Sequence, residues 1–276
     1  MTRGSGGVPQ GTAPLAAIVA DLPLFVGQDG GGWRPWSKLA EDGPARSEAL
    51  GKEAEFNGLD ARGQAAYLIG TMAYSITTLL VALRAAGVDI GEITPGNLFY
   101  RHELVHWEEG GAAGEYNRMV FRLPDTLAAG GPPIETEALR TQIVALLEPA
   151  LLRISAETGL AKAALWRQAA DNVASGFLYT GRPLGFESQA IMEGATLLRV
   201  PASPLTNKQT GFIEITASDP VSGATLSETF RARGGCCRAY TTGDGGYCST
   251  CVLVPVAERD AKLRNSLLQR LLDEAS

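Results

Sequence analysis

All four cysteines of the chain fall between positions 236 and 251, in the order Cys236-Cys237-x10-Cys248-x2-Cys251. Thiolates bind soft metal centres, and this clustering suits a metal site better than a secreted disulfide scaffold, which needs more cysteines in a shorter chain. Cys248 and Cys251 have the two-residue separation at which a tight turn aims both sulfurs at one centre. The vicinal pair is harder to use. Neighbouring side chains of extended backbone face opposite ways, so Cys236 and Cys237 converge only if the backbone is distorted. Gly234 and Gly235 are the expected source of that distortion. Gly243, Gly245 and Gly246 then let the chain fold closely round an inorganic centre.

Three chemistries use four thiols in so short a window. A four-cysteine zinc site normally takes two well-spaced knuckles, which the vicinal pair imitates poorly. Two structural disulfides suit an intracellular chain least. A [2Fe–2S] cluster divides four thiolates over two irons and relaxes the demand that all surround one atom. The spacing favours iron–sulfur over zinc without separating them. Arg231, Arg233 and Arg238 flank the cysteines, and no acid lies between Phe230 and Gly243. Positive charge there would raise a cluster's potential and attract an anionic chelate; the plain alternative for each arginine is an ordinary solvated charge.

A second constellation competes. The only two histidines form His102-Glu103-Leu104-Val105-His106, a literal H-E-x-x-H. On a helix this arrangement binds zinc and leaves the glutamate to activate water, the chemistry of a metalloprotease. The surroundings read as strand, which would set the two imidazoles roughly 13 Å apart, too far to share a metal. Glu108, Glu115 and Glu137 are third-ligand candidates with no recognisable spacing. Surface or core histidines are the expected reading.

The vicinal-pair motif C-C-x10-C-x2-C near the C-terminus, with Arg238 directly after the pair and Leu165-Trp166 in an upstream helix, resembles the FhuF family of ferric-siderophore reductases. The resemblance is specific from about Phe230 to Val252 and covers the rest in layout only. It implies that Cys236, Cys237, Cys248 and Cys251 hold a [2Fe–2S] cluster, and that the protein frees iron by one-electron reduction of Fe(III) to Fe(II) in an imported ferric siderophore. It also implies a cytoplasmic protein with peripheral contact at the inner face of the membrane. Hard oxygen chelators prefer Fe(III), so reduction loosens the complex. Neither GxGxxG nor GxxxxGK[ST] occurs. The expected electron donor is therefore a separate partner such as a ferredoxin or a flavin reductase. A non-enzymatic electron-transfer protein is the main alternative.

The elements that must position these residues follow from periodicity. Gly63 to Leu83 carries no charge over 21 residues. That is long enough to span a bilayer, but its Gln, Thr and Ser residues favour a buried helix, capped by Asp60 and ended by Gly87. Leu98 to Trp107 and Arg118 to Leu123 read as strands joined through Gly110, Gly111 and Gly114. Beyond Pro132 and Pro133, Leu139, Ile143, Leu146, Leu147, Leu151 and Ile154 mark an amphipathic helix kinked at Pro149 and ended by Gly159. Helices over Leu160–Phe177 and Glu187–Leu198 come next. A hairpin, Gly211–Thr216 and Thr225–Arg233, turns at Ser218–Gly223 and delivers the chain into the cysteines; a last helix covers Ala257–Asp273.

The predicted class is α+β: a mainly helical region with short antiparallel strands over residues 1–203, then a cluster-binding region over 204–276. Residues 1–44 read as an irregular arm docking through Trp33 and Trp36. Asp21 and Pro23 interrupt the apolar patch from Ala13 to Val26, so it is not read as a signal peptide. Twenty-four Lys plus Arg against thirty Asp plus Glu give a net charge of −6, which argues against a nucleic-acid partner. The reading is a soluble, intracellular protein.

Overall fold

The helical framework is built round one apolar helix. The computed structural model describes residues 24–26, 31–55, 58–88, 93–109, 112–123, 134–242 and 246–274. Most of the Ala13–Val26 patch lies outside them, as do Gly110, Gly111, Pro132, Pro133, Gly243 and Gly245. The central helix follows two shorter ones, α1 (Lys38–Glu41) and α2 (Gly43–Glu55), and is α3, Ala61–Ala85. Asp60 caps it by accepting the Gly63 N–H at 2.7 Å. Leu68, Ile69, Met72, Ile76, Leu79 and Leu80 on α3 are wholly buried. The helix is long and apolar enough to cross a membrane by composition, yet 78% of its most apolar window is covered by the protein itself. The covering elements include α2, α4 (Thr136–Thr158) and α5 (Lys162–Gly181), and α6 (Glu187–Leu197) packs on α5. Helix α4 runs through Pro149 as one element, and Gly159 ends it in the left-handed conformation at φ 68°.

A four-stranded sheet flanks the helices in the order β1 (Leu24–Val26), β4 (Ala112–Leu123), β3 (Phe99–Glu109), β2 (Arg34–Pro35). It is antiparallel except where β1 joins β4 in parallel. Strands β3 and β4 are longer than their sequence pattern suggests, and Gly114 lies within β4 rather than in the turn, opposite Trp107. The indole covers it so closely that a β-carbon there would come within 2.8 Å of Trp107 Nε1. The position takes glycine to admit the ring, not to bend the chain.

The docking aromatics behave as expected, while the segment that carries them is more regular than an irregular arm. Trp36 is buried, donates its indole N–H to the Leu146 carbonyl at 2.7 Å, and meets the Tyr100 ring edge-on at 5.6 Å. The Arg101 guanidinium lies over the Trp33 ring at 4.6 Å. Residues from Arg34 onward form β2, α1 and the first turn of α2.

The C-terminal part has a small core of its own. Strands β5 (Gly211–Ser218) and β6 (Thr225–Ala232) pair antiparallel, and the Asp219 carboxylate organises their turn by accepting the N–H groups of Val221 and Ser222. Helix α7 (Val256–Glu274) places Leu263 and Leu267 against Ile215 and Ala217. Arg182, at the end of α5, fastens this hairpin to the helices by donating to Glu187, Glu228 and the Thr229 carbonyl. The protein is thus α+β, with its helical mass N-terminal to the hairpin.

Candidate metal centre and its cavity

The approach to the cysteines is fixed by one buried carboxylate. After β6 the chain passes alongside α5 so closely that a β-carbon at Gly235 would lie 2.8 Å from the Gln168 backbone nitrogen. Asp171, on α5 and wholly buried, accepts the N–H of Gly234 at 2.7 Å and that of Gly235 at 2.9 Å. It also accepts the Thr210 hydroxyl at 2.6 Å and Arg233 Nε at 3.4 Å. The Thr210 oxygen takes a hydrogen bond from the Asn207 amide, so its own proton points to Asp171. Burial raises the Asp171 pKa, opposed by the Gly234 N–H, Thr210, Arg233 and the Gly235 N–H. All four partners donate, so the acceptor-only carboxylate is the form that satisfies them.

Arg233 carries this anchor to the sulfurs. Its Nη2 donates to Gln168 Oε1 at 3.1 Å, and its Nη1 lies 3.2 Å from Cys248 Sγ and 3.6 Å from Cys237 Sγ. Burial opposes its charge, but Cys237, Cys248 and Asp171 together hold the guanidinium above its ordinary pKa. Cys237 is held well below the usual thiol range, first by the hydrogen bond from the Cys248 thiol, then by Arg233 and the Ala239 N–H. Burial pushes Cys236 up. The Tyr67 hydroxyl of α3 also bonds Cys237; burial and the nearby thiolate push its pKa to about 12.

The four cysteines are free thiols, and each lies within electrostatic reach of two others: Cys236 of Cys237 and Cys251, Cys248 of Cys237 and Cys251. The Cys251 N–H donates to the Cys248 carbonyl at 3.0 Å, the tight turn expected of the two-residue spacing. The backbone distortion that serves the vicinal pair is not at Gly234 or Gly235, neither of which has a positive φ. It is at Arg238, left-handed at φ 64°, where the chain enters a single 3₁₀ turn over Ala239–Thr241. The glycines instead give close approach to α5. Arg238 pairs with Asp60 at 2.8 Å.

Among the described residues, no three His, Cys, Asp or Glu side chains are arranged round a single ion. The donor set itself, four soft sulfurs of which Cys236, Cys237 and Cys248 receive N–H bonds from Arg238, Ala239 and Arg233, suits a thiolate-bound cluster.

Beside the sulfurs opens a cavity of about 770 Å³, walled by α3, α5, β4 and the end of β6. Cys237 and Arg233 lie on its wall with Arg231, Arg118 and the rings of Tyr67, Tyr74, Tyr116 and Tyr179. Its size is that of a small-molecule site. Arg231 donates to the Asp171 carbonyl and to Asn172 Oδ1. Of the flanking arginines, Arg231 and Arg233 therefore face cavity and sulfurs, while Arg238 is engaged with the cap of α3.

The H-E-x-x-H residues lie in β3. His102 and His106 share one strand face roughly 13 Å apart, His106 pairs with Glu115 across the hairpin at 2.7 Å, and Glu103 is held by Arg101 at 2.6 Å and by Arg118. Glu137 pairs with Arg140 on α4. This strand cannot bring both imidazoles to one zinc.

Asp171, Gln168, Tyr67 and the cavity residues are positions of the candidate site that the cysteine motif does not reveal. Asp171 alone leaves a mark in sequence, as a carboxylate inside the apolar stripe of Leu165, Trp166, Ala169 and Val173. The chain matches no protein-family model, no curated protein and no solved structure.

Proposed function

We propose that the protein is a ferric-siderophore reductase, in which Cys236, Cys237, Cys248 and Cys251 hold a [2Fe–2S] cluster beside a substrate cavity. One observation carries this reading: Cys237 belongs both to the four-thiol group and to the cavity wall. A molecule in the cavity is thereby brought next to a cluster ligand, with no further element between them. Held by these four cysteines, such a cluster would supply one-electron transfer, from a separate reduced partner to the Fe(III) of the substrate, which would become Fe(II).

The remaining work falls to the protein's own residues. Arg233 neutralises negative charge on Cys237 and Cys248, and such charge compensation and hydrogen bonding to sulfur raise a cluster's potential. Asp171 holds Arg233 and the Gly234–Gly235 backbone in place. Tyr67 places a hydroxyl between cavity and sulfur. A cavity of this size supports a reductase over a general electron carrier, which needs no enclosed site. The FhuF resemblance supports the same reading and a cytoplasmic location.

The test is direct. Anaerobically prepared protein should be red-brown and contain about two irons and two sulfides per chain. After reduction, it should release Fe(II) from a ferric siderophore into a ferrous chelator, and Cys251→Ser should lose the visible spectrum. One zinc per chain without sulfide would overturn the cluster. Oxidation at one rate by every ferric chelate would favour the carrier.

A further inference from the structure

The charge of the cavity selects among siderophores. Among the described residues no Asp or Glu lines it, while three arginines do. Two of these are matched: Arg233 by Asp171 at 3.4 Å, and Arg118 by Glu103 across the β3–β4 hairpin at 3.5 Å. Arg231 is different. Its acceptors are neutral, the Asp171 carbonyl at 3.3 Å and Asn172 Oδ1 at 3.2 Å, and among the described residues no carboxylate lies within ion-pair distance of it. Burial and the neighbouring Arg233 depress its pKa, while Asp171 and Cys248 oppose them without a direct bond. A largely buried guanidinium with no carboxylate paired to it is costly, and a ligand supplying a direct counter-charge would gain what the protein leaves unmet.

The rest of the wall gives the shape of that ligand. Tyr74, Tyr116 and Tyr179 keep 37%, 47% and 46% of their surface exposed although they are large rings. Planar aromatic groups stack on such rings. Three hydroxamates around Fe(III) leave a neutral complex, whereas three catecholates leave a trianion with aromatic donor rings.

We propose that the cavity takes an anionic, aromatic ferric chelate of the tris-catecholate class, with Arg231 as its counter-charge. This rests on the reading of the cavity as the reductase substrate site, and it can fail separately from that reading.

The test uses gallium(III), which matches Fe(III) in charge and coordination but is not reduced, so binding is read without electron transfer. Binding of gallium tris-catecholate and gallium tris-hydroxamate to the intact protein is measured by calorimetry. The catecholate should bind at least about tenfold more tightly, a margin that shrinks as salt rises. Arg231→Gln should remove most of that margin and Arg231→Lys should restore part of it. Lys262→Gln, on the exposed face of α7, should leave it unchanged. Equal affinities, a hydroxamate preference, or a margin indifferent to Arg231→Gln would overturn the proposal. A preserved margin with no Fe(II) release from the ferric catecholate would sink the reductase reading and leave the binding site standing.

Discussion

Two stretches of the chain carry metal-binding spacing, and the fold treats them in opposite ways. His102 to His106 lies within a regular strand, so its four-residue spacing becomes a long separation along one face. Cys236 to Cys251 lies beyond a strand end, where a left-handed residue, a 3₁₀ turn and a tight turn reshape the backbone. The cysteine stretch is pinned by a wholly buried carboxylate, whereas His106 meets its partner Glu115 at the surface. Ligand spacing acquires meaning only from the backbone that carries it, and a built site shows itself by what anchors that backbone.

The comparison can be broken hardest at Asp171. Asp171→Ala leaves Arg233 buried without its carboxylate and two amides without an acceptor. A loss of about 3–5 kcal/mol in urea denaturation is expected, together with failure to retain metal and sulfide. Unaltered stability would remove Asp171 as the anchor. Near the sheet, burial rather than pairing dominates. Glu53 on α2 is pushed up to about 7 from an ordinary 4.5, chiefly by desolvation. Its folded pKa is the higher one, so its contribution is complete below pH 4.5 and is lost as pH rises through about 7. Glu53→Gln should abolish about 3 kcal/mol of that decline, seen as a flatter stability profile between pH 5 and 8. His102 runs the other way: burial lowers it to about 4 from 6.5, so its contribution is present above 6.5 and lost as pH falls through 4.

Smaller effects sharpen the contrast. Gly235→Ala forces a methyl group against the α5 backbone and should cost about 1–3 kcal/mol, with a shifted cluster spectrum. A wild-type spectrum and melting curve would mean the approach to α5 is not tight. His106→Ala removes only an exposed pair and should change stability by less than about 1 kcal/mol. Added zinc should produce no chelator-sensitive casein hydrolysis in either wild type or His102→Ala; His102-dependent proteolysis would reverse the ranking of the two motifs.

Local signals served well where one residue decides the structure. Asp60 starts α3 and Gly159 stops α4, as the capping pattern indicates, and the hairpin turns where Asp219 binds its own loop. The extent of β3 and β4 was hidden because Gly114 reads as a turn residue until Trp107 is laid over it. The four sulfurs were legible as a group. Their support was not, because Asp171, Thr210 and Arg233 meet only through tertiary packing. The cavity draws one wall from each of several distant segments, so no local pattern announces it.

Asp60 serves two structures at once. The same carboxylate accepts the first-turn amide of α3 and the Arg238 guanidinium beside the vicinal cysteines, and these two bonds hold its pKa below the usual range, the Arg238 contact most of all. The loop round the sulfurs and the start of the central helix therefore share an anchor. Isotope exchange at the Gly63 amide is thus expected to respond when the arrangement of the sulfurs changes, a readout taken far from the cysteines in sequence.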